Sequence, residues 1–263
     1  PTTEAIDHAA TVLSEILEPT PFMKNNHLSD IYDAEVYLKR EDLQMVRSYK
    51  IRGAYNMIRS LSAESLKNGI VCASAGNHAQ GVAFSCSKLK IVGSIFMPVT
   101  TPKQKIEQVR MFGKEFIEIV LTGDTFDAAN SAAIKYAQES GKTFIPPFDD
   151  PKVMEGQGTI GREILSQASD KLDYIFVPIG GGGLASGLGS YIKAMSPETK
   201  IIGVEPGGAP CMKAAIENGG PVELEEIDKF VDGAAVKKAG AKTYEVCREV
   251  LDDIVIVPEG AVC

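Results

Sequence analysis

The chain has 263 residues and a formal net charge of -8, from 27 Lys and Arg against 35 Asp and Glu. That balance leaves no electrostatic footprint for nucleic acid or an anionic membrane; only a local pocket for a small anion stays open. At about 150 residues per domain the length suits one large or two modest domains, and 44% hydrophobic with 24% charged residues is ordinary for a core that needs no disulfide staple.

Ile6, Ala9, Ala10, Leu13, Ile16 and Leu17 recur at helical spacing over 4–17, and Pro19 and Pro21 stop that helix. A short extended segment is expected over 35–39. A helix over 49–61 would carry Ile51, Ala54, Tyr55 and Ile58 on one face. An alternation follows: strand 70–73, helix 77–88, strand 91–97, helix 103–112, strand 116–120, helix 125–139. It resumes after Pro147 with helix 156–165, strand 172–178, helix 184–195 and strand 201–204, and closes with helix 244–251 and strand 254–257. Residues 211–232 show no clear element and are interrupted at Gly219-Gly220-Pro221. Strands joined by crossover helices imply an α/β fold, with largely parallel sheet flanked by helices. We expect two lobes with ligands in the cleft between them: a smaller lobe over 53–147, and a larger one assembled from 1–52 and 148–263.

The first seven residues lack a basic region followed by an apolar one, so no secretory peptide is expected. The apolar stretches 91–99 and 174–179 are too short to span a bilayer and read as buried strands. The five cysteines, Cys72, Cys86, Cys211, Cys247 and Cys263, are odd in number and form no C-x-x-C pair. This argues against a disulfide scaffold and for a cytoplasmic protein. His8, His27 and His78 have no partners at metal-ligand spacing, so no metal site is expected.

The clearest local signal is a buried strand feeding Gly180, Gly181, Gly182 and Gly183, followed by Leu184-Ala185-Ser186. Residues without Cβ let the backbone turn tightly and present several N–H groups at a helix start, which suits a phosphate. The bland alternative is a tightly packed strand-to-helix turn. Gly180, Gly182 and Ala185 also satisfy a G-x-G-x-x-A dinucleotide pattern, with Glu205 available for a ribose hydroxyl, so an NAD-dependent dehydrogenase stays open. No Lys-Ser/Thr pair follows the glycines, which excludes a Walker A loop.

Lys50 falls at the start of a helix, where the dipole disfavours positive charge. A solvated lysine is the ordinary reading; an amine that joins an aldehyde cofactor is the functional one. Ser74-Ala75-Gly76-Asn77-His78-Ala79-Gln80-Gly81 follows another short strand. It reads equally well as a second anion cradle, fit for a carboxylate, or as simple helix capping. A lone His78 beside such a turn is more often structural than catalytic.

Together these segments resemble the fold-type II pyridoxal-phosphate enzymes, whose architecture is similar to the tryptophan synthase beta chain, and most closely the threonine dehydratases (threonine ammonia-lyases). The resemblance rests on Lys39-Arg40-Glu41-Asp42-Leu43-Gln44, Ser48-Tyr49-Lys50-Ile51-Arg52-Gly53-Ala54, the serine-to-glycine block from Ser74, Glu155-Gly156-Gln157-Gly158-Thr159 and the glycine run, in that order. It implies that Lys50 carries pyridoxal 5'-phosphate covalently and serves as the catalytic base. Gly180, Gly181, Gly182, Gly183 and Leu184 would bind the phosphate, Asn77 would face the phenolic oxygen of the pyridine ring, and Tyr49 stands where many relatives carry Phe. Ser74, Ala75, Gly76 and Asn77 would cradle the substrate carboxylate.

The activity implied is conversion of L-threonine to 2-oxobutanoate and ammonia, a step of isoleucine biosynthesis, with L-serine as secondary substrate. Related serine racemases carry Ser where this chain has Ala75, so elimination with little racemisation is expected. Another β-elimination, a racemase, and a non-catalytic anion-binding or assembly fragment are the alternatives. The resemblance also implies a homo-oligomer, dimer or tetramer, acting on a small amino acid. In the family the catalytic domain continues past the point matching Cys263, with the hydroxyl that faces the pyridine nitrogen and, in biosynthetic members, an isoleucine-binding domain. Weak or absent turnover by the 263-residue chain alone is therefore expected.

Overall fold

Residues 1–262 are described by a computed structural model, and Cys263 lies outside them. The Thr2 hydroxyl accepts the Ala5 amide and opens α1 (Thr3–Leu13). This helix ends four residues before the expected Leu17. Ser14 turns its hydroxyl onto the Thr11 carbonyl, the local competition that makes serine a poor helix continuer. A hairpin of β1 (Phe22–Lys24) and β2 (Tyr37–Lys39) encloses α2 (Asn26–Tyr32). The next helices are α3 (Lys50–Ser60) and the one-turn α4 (Ala63–Leu66).

The expected alternation is present. It runs β3 (Ile70–Ala73), α5 (Asn77–Leu89), β4 (Gly93–Met97), α6 (Lys103–Gly113), β5 (Ile117–Leu121), α7 (Phe126–Ser140) and the two-residue β6 (Thr143–Phe144). These strands form one parallel sheet in the order β5-β4-β3-β6. The order reverses beside β3, and ligands of open parallel sheets bind beyond the carboxyl ends of strands at such a switch point. Ser74 begins there.

The second half contains α8 (Pro151–Gln167), β7 (Tyr174–Pro178), α9 (Gly183–Met195), β8 (Lys200–Pro206), α10 (Cys211–Asn218), α11 (Ala241–Val250) and β9 (Asp253–Val257). The strands form a second parallel sheet, β7-β8-β9. α8 starts five residues before the expected position, because Asp150 caps it through the Lys152 amide and Pro151 suits the first turn. α10 occupies part of the segment that showed no element in the sequence.

Each parallel sheet has its own core. Ile58, Ile70, Val82, Ile95 and Met97 fill the first; Val177, Ile179, Leu188, Ile192 and Ile201 fill the second. Each such fully buried side chain contributes about 1.5–3 kcal/mol relative to exposure. α3 and α8 cross between the cores at short range. A Cβ on Gly156 would stand 2.6 Å from the Arg52 carbonyl oxygen, and one on Gly158 would stand 2.9 Å from that of Gly187. The Glu155-to-Thr159 block is thus a helix-crossing device that lets backbones approach.

Arg52, 1% exposed, clasps the crossing. Its guanidinium donates to Glu41 Oε1 and Oε2 at 2.8 Å each, to Glu163 Oε1 at 2.6 Å and to Thr159 Oγ1 at 3.1 Å. Lys39 adds a second cation on Glu163 at 2.6 Å. The block from Lys39 to Glu41 therefore anchors the helix that begins with Lys50.

Candidate active site

Lys50 is the first residue of α3, and Tyr49 before it makes no side-chain cap. The amine donates to the Pro147 carbonyl at 2.9 Å and lies 5.6 Å from the centre of the Tyr49 ring and 6.0 Å from that of Phe148. It has no carboxylate partner among the described residues. Burial without a counter-charge lowers it to about 8. Burial likewise raises the Tyr49 phenol to about 12, so it stays neutral.

Ser74, Ala75 and Gly76 lie between the end of β3 and Asn77, the first residue of α5. No side chain caps this helix; the Ser74 hydroxyl instead accepts the Gly76 amide at 3.2 Å. A Cβ on Gly76 would meet nothing within 4 Å, so open space lies in front of the turn. The exposed Asn77 side chain has no hydrogen-bond partner among the described residues. α5 passes directly over the start of α3: a Cβ on Gly81 would stand 3.0 Å from the Ile51 nitrogen. Lys50 and the Ser74 turn are thereby neighbours.

His78 is buried, and its Nε2 donates to the Ile145 carbonyl at 3.0 Å. Burial first, and then the Lys50 charge, lower it to about 3. It is a neutral, satisfied side chain, in agreement with the structural reading.

Gly180, Gly181 and Gly182 connect β7 to α9, and Gly182 takes a left-handed φ of 93° as the helix cap. Gly183 and Leu184 form the first turn of α9 and are buried. Among the described residues no protein acceptor takes the amides of Gly180, Gly181, Gly182, Gly183 or Leu184. Phe148 packs on this loop; a Cβ on Gly181 would overlap its ring, and one on Gly183 would stand 2.9 Å from its Cβ. Phe148 thus packs on the loop and stands 6.0 Å from the Lys50 amine, linking residues far apart in sequence.

Glu205 is not free for a ribose. It is fully buried, and its two carboxylate oxygens accept the amides of Met212 at 2.7 Å and Lys213 at 2.9 Å. It stabilises the start of α10, and this removes the acidic partner that the dinucleotide alternative required.

One segment escaped the sequence reading. Residues 145–149 run past every part of the site. Ile145 accepts from His78, Pro147 accepts from Lys50, Phe148 fills the space beside Gly181, and Asp149 accepts the amides of Ala241, Lys242 and Thr243. The available signal was the Pro146-Pro147 pair, a rigid backbone placed directly after a strand.

Among the described residues no cluster of three His, Cys, Asp or Glu side chains is placed to hold a metal ion, and no helix is long and apolar enough to cross a membrane. The four described cysteines are buried and free.

A profile of the pyridoxal-phosphate dependent enzymes matches residues 13–263. The chain is 56% identical over 260 residues to the biosynthetic L-threonine dehydratase of Halalkalibacterium halodurans, covering 99% of this chain and 63% of that protein. Among solved structures it is similar to the processed threonine deaminase isoform 2 of Solanum lycopersicum, with a TM-score of 0.91, 42% identity and coverage of 98% of this chain and 76% of the other. Maize serine racemase superposes with a TM-score of 0.93 at 30% identity, covering 99% of this chain and 78% of that one. The chain spans about three fifths of the length of the curated dehydratases it matches.

Proposed function

This chain belongs to the fold-type II pyridoxal-phosphate dependent enzymes, in their threonine-dehydratase branch; from that premise we propose that its site converts L-threonine to 2-oxobutanoate and ammonia. The cofactor of this family is pyridoxal 5'-phosphate. The donor set fits it. An amine enclosed without a counter-charge suits an aldehyde, and five amides without protein acceptors suit a phosphate. The observation that carries the reading is the Lys50 amine, held only by a carbonyl, with α5 and its open Gly76 turn packed on the start of its helix and with Phe148, which packs on the glycine loop, 6.0 Å from it.

When bound, the cofactor supplies a conjugated ring that accepts the electron pair left at Cα. The protein's own part is then assignable. Lys50 would hold the cofactor, and its free amine would take the Cα proton. Burial without a counter-charge lowers this amine and so favours its uncharged, basic form. The amides of Gly180, Gly181, Gly182, Gly183 and Leu184 hold the phosphate. Ser74, Ala75, Gly76 and Asn77 hold the substrate carboxylate at the start of α5, with the Asn77 amide toward the ring oxygen, and Tyr49 forms an apolar wall. The β-hydroxyl leaves as water, and hydrolysis of the released enamine takes one water back, so threonine yields one 2-oxobutanoate and one ammonia. L-serine gives pyruvate by the same path. The missing methyl changes apolar contact, which discriminates by about 1–3 kcal/mol.

A cytoplasmic, homo-oligomeric enzyme is part of the same proposal; the free, buried thiols fit a reducing compartment. The test is a visible spectrum of the chain with added pyridoxal phosphate, beside Lys50→Ala. A band present in the parent and absent from the variant supports the cofactor and its lysine, and threonine-dependent formation of 2-oxobutanoate, expected to be weak from the 263-residue chain, supports the reaction. No band in the parent refutes the reading.

A further inference from the structure

The glycine loop is held from behind. Its three consecutive carbonyls, those of Gly180, Gly181 and Gly182, all accept hydrogen bonds from side chains of α10 and α11. The Thr243 hydroxyl donates to the Gly181 oxygen at 2.6 Å, the Cys247 thiol to the Gly182 oxygen at 3.7 Å and the Cys211 thiol to the Gly180 oxygen at 3.3 Å. All three donors are completely buried. Thr243 dominates: its alternative acceptor, the Gly240 oxygen, is farther at 3.2 Å, and a hydroxyl is a stronger donor than a thiol. Cys211 is shared with the neighbouring Glu205 carboxylate, so its hold on Gly180 is the weakest. Burial keeps both thiols protonated, pushing Cys211 to about 12 and Cys247 higher still, so both remain donors.

The consequence follows from the peptide unit. In a planar trans peptide the C=O of one residue and the N–H of the next point in opposite directions. Fixing the Gly181 oxygen on Thr243 therefore aims the Gly182 amide away from Thr243. In the same way Cys211 aims the Gly181 amide; the Gly182 oxygen accepts the Ser186 amide at 2.9 Å as well as the Cys247 thiol, so Cys247 only adds to the helical bond that aims the Gly183 amide. Glycines are the residues least able to hold such an orientation unaided, because their backbone explores the widest range of angles.

We propose that Thr243, supported by Cys247, is a positioning residue that aims the glycine-loop amides at the cofactor phosphate. The role rests on the function proposed above and extends it to a residue that touches neither cofactor nor substrate. Thr243 is itself fixed, because its amide donates to Asp149 at 3.0 Å, two residues after the Pro147 carbonyl that takes the Lys50 amine. The phosphate loop and the lysine are thus held to one frame.

The experiment compares affinity for pyridoxal phosphate with affinity for pyridoxal, which has the same aldehyde and no phosphate. Both are titrated by the visible band that depends on Lys50, in the parent, Thr243→Val, Thr243→Ser and Cys247→Ala. One neutral hydrogen bond corresponds to roughly a fivefold change in affinity. The expected result is a loss of about that size for pyridoxal phosphate in Thr243→Val, recovery in Thr243→Ser and a smaller loss in Cys247→Ala, with pyridoxal affinity constant throughout. Equal losses for both compounds, or no loss for either, would overturn the role of Thr243. If Thr243→Val fails to fold, Thr243→Ala and Cys247→Ala decide by the same ratio. A parent that binds neither compound refutes the cofactor reading and this role with it; a parent that binds both, with variants of unchanged ratio, refutes this role alone.

Discussion

The Lys50 amine and the Pro147 carbonyl meet at 2.9 Å, and this bond across 97 residues ties the first turn of α3 to the segment that leaves β6. It satisfies one amine proton without supplying a negative charge. Burial consequently lowers the amine from 10.5 to about 8. Below about pH 8 the folded chain holds a charge that its surroundings disfavour. Between about 8 and 10.5 the unfolded chain holds the proton that the folded one has released, so this group's contribution to stability rises with pH across that window. Lys50→Met in cofactor-free protein should therefore melt at or above the parent temperature near neutral pH, and its advantage should shrink by about pH 10. Paired melting curves at the two pH values check this; a parent more stable than Lys50→Met at both would contradict it.

Arg52, two residues farther along α3, presents the opposite case. Its charge is fully buried but answered by Glu41 and Glu163. Burial would raise the Glu163 carboxyl, yet the Arg52 and Lys39 contacts outweigh it and hold the group below its usual value. Replacing Arg52 with Met leaves Glu41 without a cation and Glu163 with Lys39 alone, in a poorly hydrated crossing. Removing one partner of such a cluster costs about 3–5 kcal/mol. Urea unfolding should show a loss of that order for Arg52→Met. The loss should be smaller in an Arg52→Met, Glu41→Gln pair, since Glu41 is the carboxylate left without a cation while Glu163 keeps Lys39. A loss within measurement error would mean that the clasp is as weak as a surface ion pair.

The contrast between these two cations explains what the sequence disclosed and what it hid. The parallel α/β alternation was legible because its strands are short apolar runs and most of its helices amphipathic, as in β3 and α6. The positions of Lys50, the Ser74 turn and the glycine run were legible because each follows a local break in pattern. Their convergence was not, since it depends on residues 145–149, and non-regular backbone carries no periodicity. The same holds for β1, a three-residue strand, and for β6, a two-residue strand, both set by pairing partners distant in sequence. Glu205 looked available because its position at a strand end is visible in sequence, whereas the α10 amides that occupy it are not.

Glycines in the two cradles should respond differently to alanine. At Gly182 the φ of 93° disfavours any side chain, and a Cβ would stand 2.5 Å from Met212 Cε and 3.0 Å from Thr243 Oγ1. Gly182→Ala should destabilise the chain by about 1–3 kcal/mol and abolish phosphate-dependent cofactor binding. At Gly76 a Cβ meets no protein atom, and φ is -137°, outside the left-handed region that favours glycine. Gly76→Ala should leave the melting temperature unchanged and retain the cofactor, while raising KM for threonine because the methyl enters the space in front of the α5 amides. Melting curves with steady-state KM separate the two. An unstable Gly76→Ala would show that the turn needs glycine for its backbone and not for its ligand.

Ala75 determines a further difference, between elimination and inversion. Taking the Cα proton requires one base, the role proposed for Lys50. Inverting Cα requires a second group on the opposite face to return a proton. Ala75 lies in the Ser74 turn and offers only a methyl, which has no exchangeable proton. His78, in the next helical turn, is neutral, and its Nε2 proton is committed to the Ile145 carbonyl. Among the described residues neither side chain can return a proton to Cα. With L-serine, pyruvate should therefore form far faster than D-serine. Ala75→Ser should raise D-serine formation while pyruvate formation changes little, because the new hydroxyl supplies the missing donor without touching the Lys50 amine. Chiral chromatography of the reaction mixture beside a pyruvate assay reads both. D-serine formed by the parent as fast as pyruvate would require another proton donor at this site and would remove Ala75 from the argument.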